Sequence, residues 1–141
     1  MAIRIEVSSR RAADSAPIAQ QARRLGIDAV DSCRTSKLYF LSEHPGTEQL
    51  SRLCAFLLAD PVTETARWDD LYAGEMLPAA TQAAHIVEVA LRPGVTDVAA
   101  RELERGMAEL GFPVSRAATA TRYELTGDLS EGDLHRLAQG L

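Results

Sequence analysis

Residues 50–62 read "LSRLCAFLLADPV", and residues 134–141 read "LHRLAQGL". Both stretches carry an apolar stripe with helical spacing, in which leucines recur three and seven positions apart. After the first stripe, Asp60 and Pro61 end the helix, because proline cannot continue it. The matching residues lie 84 positions apart: Leu50, Arg52, Leu53 and Leu57 recur as Leu134, Arg136, Leu137 and Leu141. A repeat of this kind predicts two related structural units in one chain.

Other segments repeat in the same order. "IRIEV" at residues 3–7 and "HIVEVAL" at residues 85–91 alternate apolar and polar side chains, the pattern of a half-buried strand. A helix follows each strand and ends at a glycine, Gly26 in the first unit and Gly111 in the second, as a left-handed C-terminal cap requires. Near the end of the first unit, "VTETARW" (62–68) alternates again and predicts a closing strand.

The helices have start signals and apolar stripes. Candidate N-terminal caps precede three of them: Asp14 or Ser15, Thr96 or Asp97, and Ser130 with Asp133 in a capping box. The predicted buried stripes are Ile18, Ala22 and Leu25; Leu50, Leu53, Cys54 and Leu57; Leu103, Met107 and Leu110; and Leu134, Leu137, Ala138 and Leu141.

Between the two helices of each unit lies a long extended segment, residues 28–43 in the first unit and 113–127 in the second. An offset of 85 aligns the two segments and matches Leu38 and Phe40 with Tyr123 and Leu125. Both segments are much longer than an ordinary strand. Either one long bent strand or a hairpin that turns near residues 34–37 fits, and the hairpin is favoured.

These elements predict an α+β fold built from two tandem units, 1–70 and 84–141, joined by a linker at 71–83. Each half would be marginal alone, so the halves should share one sheet or pack through a tight core between two sheets. Antiparallel sheets would be covered by four helices, with a pseudo-twofold axis between the units. The second unit lacks a counterpart of the closing strand, so we expect the chain to belong to a longer polypeptide; a natural terminus at Leu141 is the alternative.

The composition excludes several classes of function. The chain has 141 residues, 46% of them hydrophobic and 25% charged, with a net charge of −5 and an isoelectric point near 5.2. Nucleic-acid binding leaves a basic footprint, which this acidic chain lacks. No apolar run has the length of a signal peptide or a membrane span. We therefore expect a soluble cytoplasmic protein that binds neither nucleic acid nor membrane.

Neither metal chemistry nor catalysis has a motif in the sequence. Cys33 and Cys54 are the only cysteines, and no histidine stands near either in the spacing of a zinc site. A buried thiol is the expected state of Cys54, which lies on an apolar stripe. The sequence contains no nucleophile elbow, zinc-protease helix or phosphate-binding loop. We expect no catalytic residue and no metal site.

The pattern resembles the PurS family, the small subunit of phosphoribosylformylglycinamidine synthase. In the second unit, "TRYEL" (Thr121–Leu125) stands where PurS chains have an aromatic strand after a basic step, and a helix follows. In the first unit, "RTSKLYFL" (Arg34–Leu41) has Ser36 in place of a glycine, and the helix ends in "LLADPV" (57–62). The resemblance spans nearly the whole chain except 71–83. The chain resembles the two subunits of a PurS dimer joined in one polypeptide, as in the N-terminal domain of the fused synthase.

The resemblance implies a function. The synthase converts formylglycinamide ribonucleotide, glutamine and ATP to the amidine in the fourth step of de novo purine synthesis. A glutaminase component releases ammonia, and a synthetase component uses ATP and Mg to activate the amide oxygen. The PurS-like part would bind no cofactor and would catalyse nothing alone. It would bridge the glutaminase and synthetase components and help ammonia to pass between them, with a homodimer as a further possibility.

Five residues are candidates for contact with those partners: Arg34, Lys37, Tyr39, Arg122 and Tyr123. They fall at equivalent places in the two units, and arginine and tyrosine are favoured at protein interfaces. The alternative is a basic turn followed by ordinary strand residues.

A tandem α+β regulatory domain of the amino-acid-sensing kind is the alternative function. Such pairs bind effectors at the seam between the units, usually through a glycine-rich turn after the first strand. The corresponding turns here read "SSRRAADS" (8–15) and "RPGVTD" (92–97). The first has no glycine, which counts against this alternative.

Overall fold

A computed structural model describes residues 3–11, 16–70, 85–112 and 115–141. In chain order the elements are β1 (Ile3–Ser9), α1 (Ala16–Arg24), β2 (Val30–Leu41), α2 (Thr47–Leu53, continued by a π-helical turn Cys54–Leu58), β3 (Glu64–Asp70), β4 (His85–Ala90), α3 (Val98–Glu109), β5 (Ala117–Gly127) and α4 (Glu131–Gly140). The fold is α+β, as predicted. The predicted linker 71–83 and the predicted caps Asp14 and Ser15 lie outside the described residues.

The strands form one antiparallel sheet in the order β3-β1-β2-β5-β4. Its centre is the pairing of β2 with β5, which runs from Val30 opposite Gly127 to Leu41 opposite Ala117. The two halves of the chain therefore share a sheet, one of the two packings that the sequence left open.

The extended segments are single long strands, so the favoured hairpin near residues 34–37 is wrong. β2 has 12 residues and β5 has 11. The residues Arg34–Lys37 include no glycine, proline, asparagine or aspartate, the residues that tight turns need. Each long strand also finds two partners, because β2 lies between β1 and β5, and β5 lies between β2 and β4. Continuous pairing satisfies the backbone groups of both strands.

All four helices contribute to two apolar clusters on one face of the sheet, which we call the helix face. In the first cluster, residues of α2 and α3 pack on β1: Leu50, Leu53, Leu103 and Met107 on Ile3, Ile5 and Val7. In the second, residues of α1 and α4 pack on the other end of the sheet: Ala22 and Leu137 on Cys33, Val87 and Leu125. These contacts confirm the predicted stripes except at Leu110, which follows α3 and is 54% exposed.

The predicted helix ends are confirmed where the structure describes them. Asp97 caps α3 by accepting a hydrogen bond from the amide of Ala100, and Ser130 begins α4 in a capping box with Asp133. Gly26 and Gly111 have φ values of 80° and 74°, the left-handed conformation expected after a helix.

The predicted 85-residue offset between the long strands is wrong, because it matches residues on opposite faces. Tyr123 and Leu125 lie on the helix face in the second cluster. Leu38 and Phe40 lie on the other face, since they alternate along β2 with Tyr39 and Leu41 of the first cluster. An offset of 84 instead matches Tyr39 with Tyr123 on one face.

Candidate functional site

The pairing of β2 with β5 brings all five predicted site residues to the middle of the sheet. Lys37 stands opposite Thr121, and Tyr123 and Arg122 stand opposite Thr35 and Ser36. Strand alternation divides the five between two faces: Lys37, Tyr39 and Tyr123 lie on the helix face, and Arg34 and Arg122 lie on the opposite one. Lys37 is exposed, whereas Arg122 is buried. The five residues are neighbours, but they do not form one surface.

The face opposite the helices carries a network of ion pairs, which we call the ionic cluster: Arg4, Glu6, Arg67, Asp69, Glu88, Arg122 and Glu124. Arg4 donates to both carboxylate oxygens of Asp69, from Nε at 3.2 Å and from Nη2 at 3.0 Å. Arg67 binds Glu6 at 2.7 Å, and Arg122 lies 3.5 Å from Glu124. Such a network is stable in a buried setting only because each charge has an opposite partner.

One of these ion pairs shows that the sheet curves. Arg4 stands level with Phe40 on β2, whereas Glu88 stands level with Arg122 on β5. In a flat sheet, strand spacing and rise would put the Cα atoms of Arg4 and Glu88 about 19 Å apart, farther than the two extended side chains can span. Their charged groups nevertheless lie 3.6 Å apart. Along the diagonal from Arg4 to Glu88, the face that carries the ionic cluster is therefore concave.

Glu6 is bound from two sides within the ionic cluster. The hydroxyl of Ser36 donates to its Oε1 at 2.6 Å, and Nε and Nη2 of Arg67 donate to its Oε2 at 2.9 and 2.7 Å. Burial alone would raise the pKa of Glu6, but these hydrogen bonds and the positive charge of Arg67 outweigh it, so the pKa lies below the ordinary value. Glu6 therefore stays ionised in the folded state at neutral pH.

The lowered pKa of Glu6 predicts an acid-sensitive contribution to stability. A carboxyl whose pKa is lower in the folded state stabilises the fold above its ordinary pKa of 4.5, and that stabilisation is lost as the pH falls through the folded value. We expect Glu6→Gln to lower the free energy of unfolding at pH 7 by about 1–3 kcal/mol. It should also flatten the fall in stability below about pH 4.5. Urea titrations at several pH values measure both effects.

The matched control is Glu102→Gln. Glu102 is exposed on α3, and within the described ranges its ion pair is with Arg105, one helical turn away. We expect that change to alter the free energy of unfolding at pH 7 by less than about 0.5 kcal/mol. It should also leave the pH dependence of stability unchanged. If the wild type and Glu6→Gln lose stability in parallel on acidification, the ionised carboxylate of Glu6 does not stabilise the fold as predicted.

A cavity of about 560 Å³ opens on the helix face between the two apolar clusters; we call it the seam cavity. It is lined by Lys37, Tyr39, Asp97, Thr119, Thr121 and Tyr123, among others. Tyr39 belongs to the first cluster and Tyr123 to the second. Burial raises the pKa of both phenols, which are therefore neutral at physiological pH.

Asp97 is held rigidly at the edge of the seam cavity. One of its oxygens accepts a hydrogen bond from the amide of Ala100 at 2.9 Å, and the other accepts one from the amide of Thr119 at 2.7 Å. The hydroxyl of Thr119 adds contacts of 3.0 Å to both oxygens. Burial opposes ionisation, but these donors outweigh it and lower the pKa of Asp97. Its negative charge is thus stabilised within the protein.

Both cysteines are buried thiols, one in each cluster. Burial raises the pKa of Cys54 to about 11 and also raises the pKa of Cys33, although a hydrogen bond with Thr35 partly opposes the latter shift. A protonated thiol is a poor nucleophile, so neither side chain suits covalent catalysis at neutral pH.

Slow thiol labelling follows from this burial. At pH 7, 4,4′-dithiodipyridine should react with Cys54 in the native protein at least about 100-fold more slowly than in 6 M guanidinium chloride, since a shift of about two pKa units removes that much thiolate. A Ser51→Cys variant is the control, because Ser51 is exposed on the same helix and its thiol should react at once. Rapid labelling of Cys54 in the native protein would contradict the structure.

The sequence prediction missed the ionic cluster. Arg4 and Glu6 alternate with apolar residues in β1, and this pattern alone predicts only the polar face of a half-buried strand. A signal was present, because "IRIEV" (3–7) and "ARWDD" (66–70) carry opposite charges in an order that antiparallel pairing brings together. Recognising that signal required the pairing of β1 with β3.

The described part of the chain contains no group of three or more side chains suited to hold a metal ion. No helix in the described ranges is long and apolar enough to cross a membrane. Comparison of the chain with known protein families, with curated proteins and with solved structures gives no match.

Proposed function

We propose that the chain is a non-catalytic bridging domain of phosphoribosylformylglycinamidine synthase, which joins the glutaminase and synthetase components and supports the transfer of ammonia. The proposal starts from the resemblance of both halves to the PurS family. The observation that carries it further is the pairing of β2 with β5, which unites the halves in one sheet. ATP and Mg would be used by the synthetase component.

We also infer that the halves arose by duplication. The order strand, helix, strand, helix occurs twice, as β1-α1-β2-α2 and β4-α3-β5-α4. With an offset of 84, Lys37 matches Thr121, and these two residues stand opposite each other in the sheet. A twofold axis through that pair would exchange Tyr39 with Tyr123, and β1 with β4. β3 has no counterpart among the described strands of the second half.

This arrangement suits a bridge between two partners. A sheet made of two similar halves presents similar surfaces in two directions. One surface can therefore bind the glutaminase component and the other the synthetase component. The acidic and basic groups of the ionic cluster are engaged with one another, which favours a role in holding the curved sheet rather than in proton transfer. Both thiols are protonated and buried.

Reconstitution tests the bridging role. The domain is combined with the synthetase and glutaminase components, and amidine formation is measured with glutamine and, separately, with ammonium chloride. We expect the domain to raise the glutamine-dependent rate by at least tenfold and to leave the ammonia-dependent rate within twofold. No response of either rate would refute the proposal.

Variants make the test specific. Arg34→Ala/Lys37→Ala removes two candidate contact residues near the middle of the sheet and should reduce the gain in the glutamine-dependent rate. Arg105→Ala is the matched control, because Arg105 is exposed on α3 and its ion pairs in the described part of the chain are with glutamates of its own helix. Equal effects of the two variants would exclude Arg34 and Lys37 from the partner interface.

The regulatory alternative stays a prediction. The seam cavity favours it, since it lies between the halves beside the turn at residues 91–97. It predicts that a free amino acid raises the melting temperature of the isolated domain, which a thermal-shift panel of the twenty amino acids measures.

A further inference from the structure

The seam cavity has the size and walls of a ligand site. Its volume of about 560 Å³ falls within the usual range for small-molecule pockets. The rings of Tyr39 and Tyr123 approach it from different apolar clusters, and Lys37 and Thr121 face each other between them. An occupant would therefore contact both halves of the chain at once.

One side of the cavity is apolar and open. Val89 at the end of β4, Leu91 just after it and Val98 at the start of α3 line this side. Leu91 is 50% exposed and Val98 is 65% exposed, although both are large apolar side chains. Exposed apolar residues grouped at a cavity indicate a surface that is covered in the functional state. This side suits a hydrocarbon or aromatic group.

The other side carries one available positive charge. Lys37 is the only lysine in the sequence, and its side chain is exposed at the cavity. Asp97 also lines the cavity, but its oxygens already accept hydrogen bonds from Ala100 and Thr119. An anionic group beside Lys37 would gain an ion pair, whereas an ammonium group would have to compete for Asp97.

We propose that the seam cavity binds a small monocarboxylate with an apolar body, its carboxylate beside Lys37 and its body against Val89, Leu91 and Val98. The proposal does not rest on the bridging role. It also differs from the amino-acid-sensing alternative, because Lys37 can pair with a carboxylate, whereas an α-ammonium group would meet an Asp97 that already accepts hydrogen bonds from Ala100 and Thr119.

The single lysine supplies the reporter. Reductive methylation with ¹³C-formaldehyde gives Lys37 two labelled methyl groups and keeps its positive charge, and the α-amino group of the chain gives a second signal that serves as a reference. The labelled protein is titrated with 3-phenylpropionate, with the neutral 3-phenylpropionamide and with phenylalanine. We expect a saturable shift of the Lys37 methyl signal with 3-phenylpropionate, and at least tenfold weaker binding of the other two.

Two variants, one at the start of α3 and one just after its end, separate binding from nonspecific effects. Val98→Glu places a negative charge at the cavity and should weaken the binding of 3-phenylpropionate at least tenfold. Leu110→Glu makes the same change at the other end of the helix, where the residue is also exposed, and should leave binding within twofold. A shift that does not saturate, equal binding of the amide or of phenylalanine, or equal affinities of the two variants would each overturn the proposal.

Discussion

Replacing Arg4 by methionine should lower the free energy of unfolding by about 3–5 kcal/mol, because it leaves a buried carboxylate without its partner. Arg4 is 4% exposed and makes two hydrogen bonds to Asp69, whose side chain is also nearly buried. It also neutralises Glu88 across the concave face. Methionine fills a similar volume, so most of the loss is electrostatic. Urea denaturation at pH 7 measures it.

A second substitution separates the cost of an unpaired charge from the value of the pair. In Arg4→Met/Asp69→Leu neither partner is left charged, and we expect this variant to recover at least half of the lost stability, since apolar replacements of buried ion pairs are often neutral. Arg105→Met, at an exposed ion pair on α3, should change stability by less than about 1 kcal/mol. A double variant no more stable than Arg4→Met would show that the arginine acts through its packing.

Gly127→Ala should destabilise the protein by about 3 kcal/mol or more, because two independent costs add. Gly127 ends β5 with a φ of 139°, a conformation that other residues rarely adopt. A Cβ at this position would also overlap the carbonyl oxygen of Ala29, where β2 begins with a register shift between Val30 and Ser32. The backbone of one strand must move to admit the methyl group.

Gly94→Ala measures the cost of a positive φ without a steric overlap. Gly94 has a φ of 87°, and a Cβ there would meet nothing within 4 Å. We expect this change to cost about 1–2 kcal/mol. The difference between the two variants, measured in the same urea titrations, contains the cost of the overlap with Ala29 together with the greater strain of alanine at a φ of 139° than at 87°. Equal destabilisation would mean that the junction of β2 and β5 relaxes freely.

Local signals account for what could be predicted from the sequence. The stripes of α1 to α4, the capping residues Asp97 and Ser130, and the glycines after α1 and α3 all depend on residues within a few positions of one another. The spacing of apolar residues therefore predicted the elements and the α+β class. The predicted burial of Leu110 is wrong because this residue lies just beyond the last turn of α3, where the direction of the chain changes.

The rest depends on pairings between distant residues. The sequence contains nothing local that places Lys37 opposite Thr121, and without that register the offset of 85 matches residues of β2 with residues of β5 that lie on the opposite face. A one-residue error in a strand moves every side chain to the other face. The seam cavity follows from this pairing, because its walls come from β2 as well as from β4, β5 and the start of α3. The ionic cluster depends in addition on the pairing of β1 with β3, which brings Arg4 beside Asp69 and Glu6 beside Arg67.

The central pairing also has a consequence for how the chain folds. Cys33 and Leu125, opposite each other in β2 and β5, are separated by most of the chain. During synthesis, the edge of β2 that pairs with β5 stays unpaired until β5 has left the ribosome. Until then the backbone donors and acceptors of this edge are open to any other strand. Closing so long a loop makes this step slow relative to the hairpin-like pairing of local elements. The interval before β5 arrives is when this protein is most exposed to aggregation.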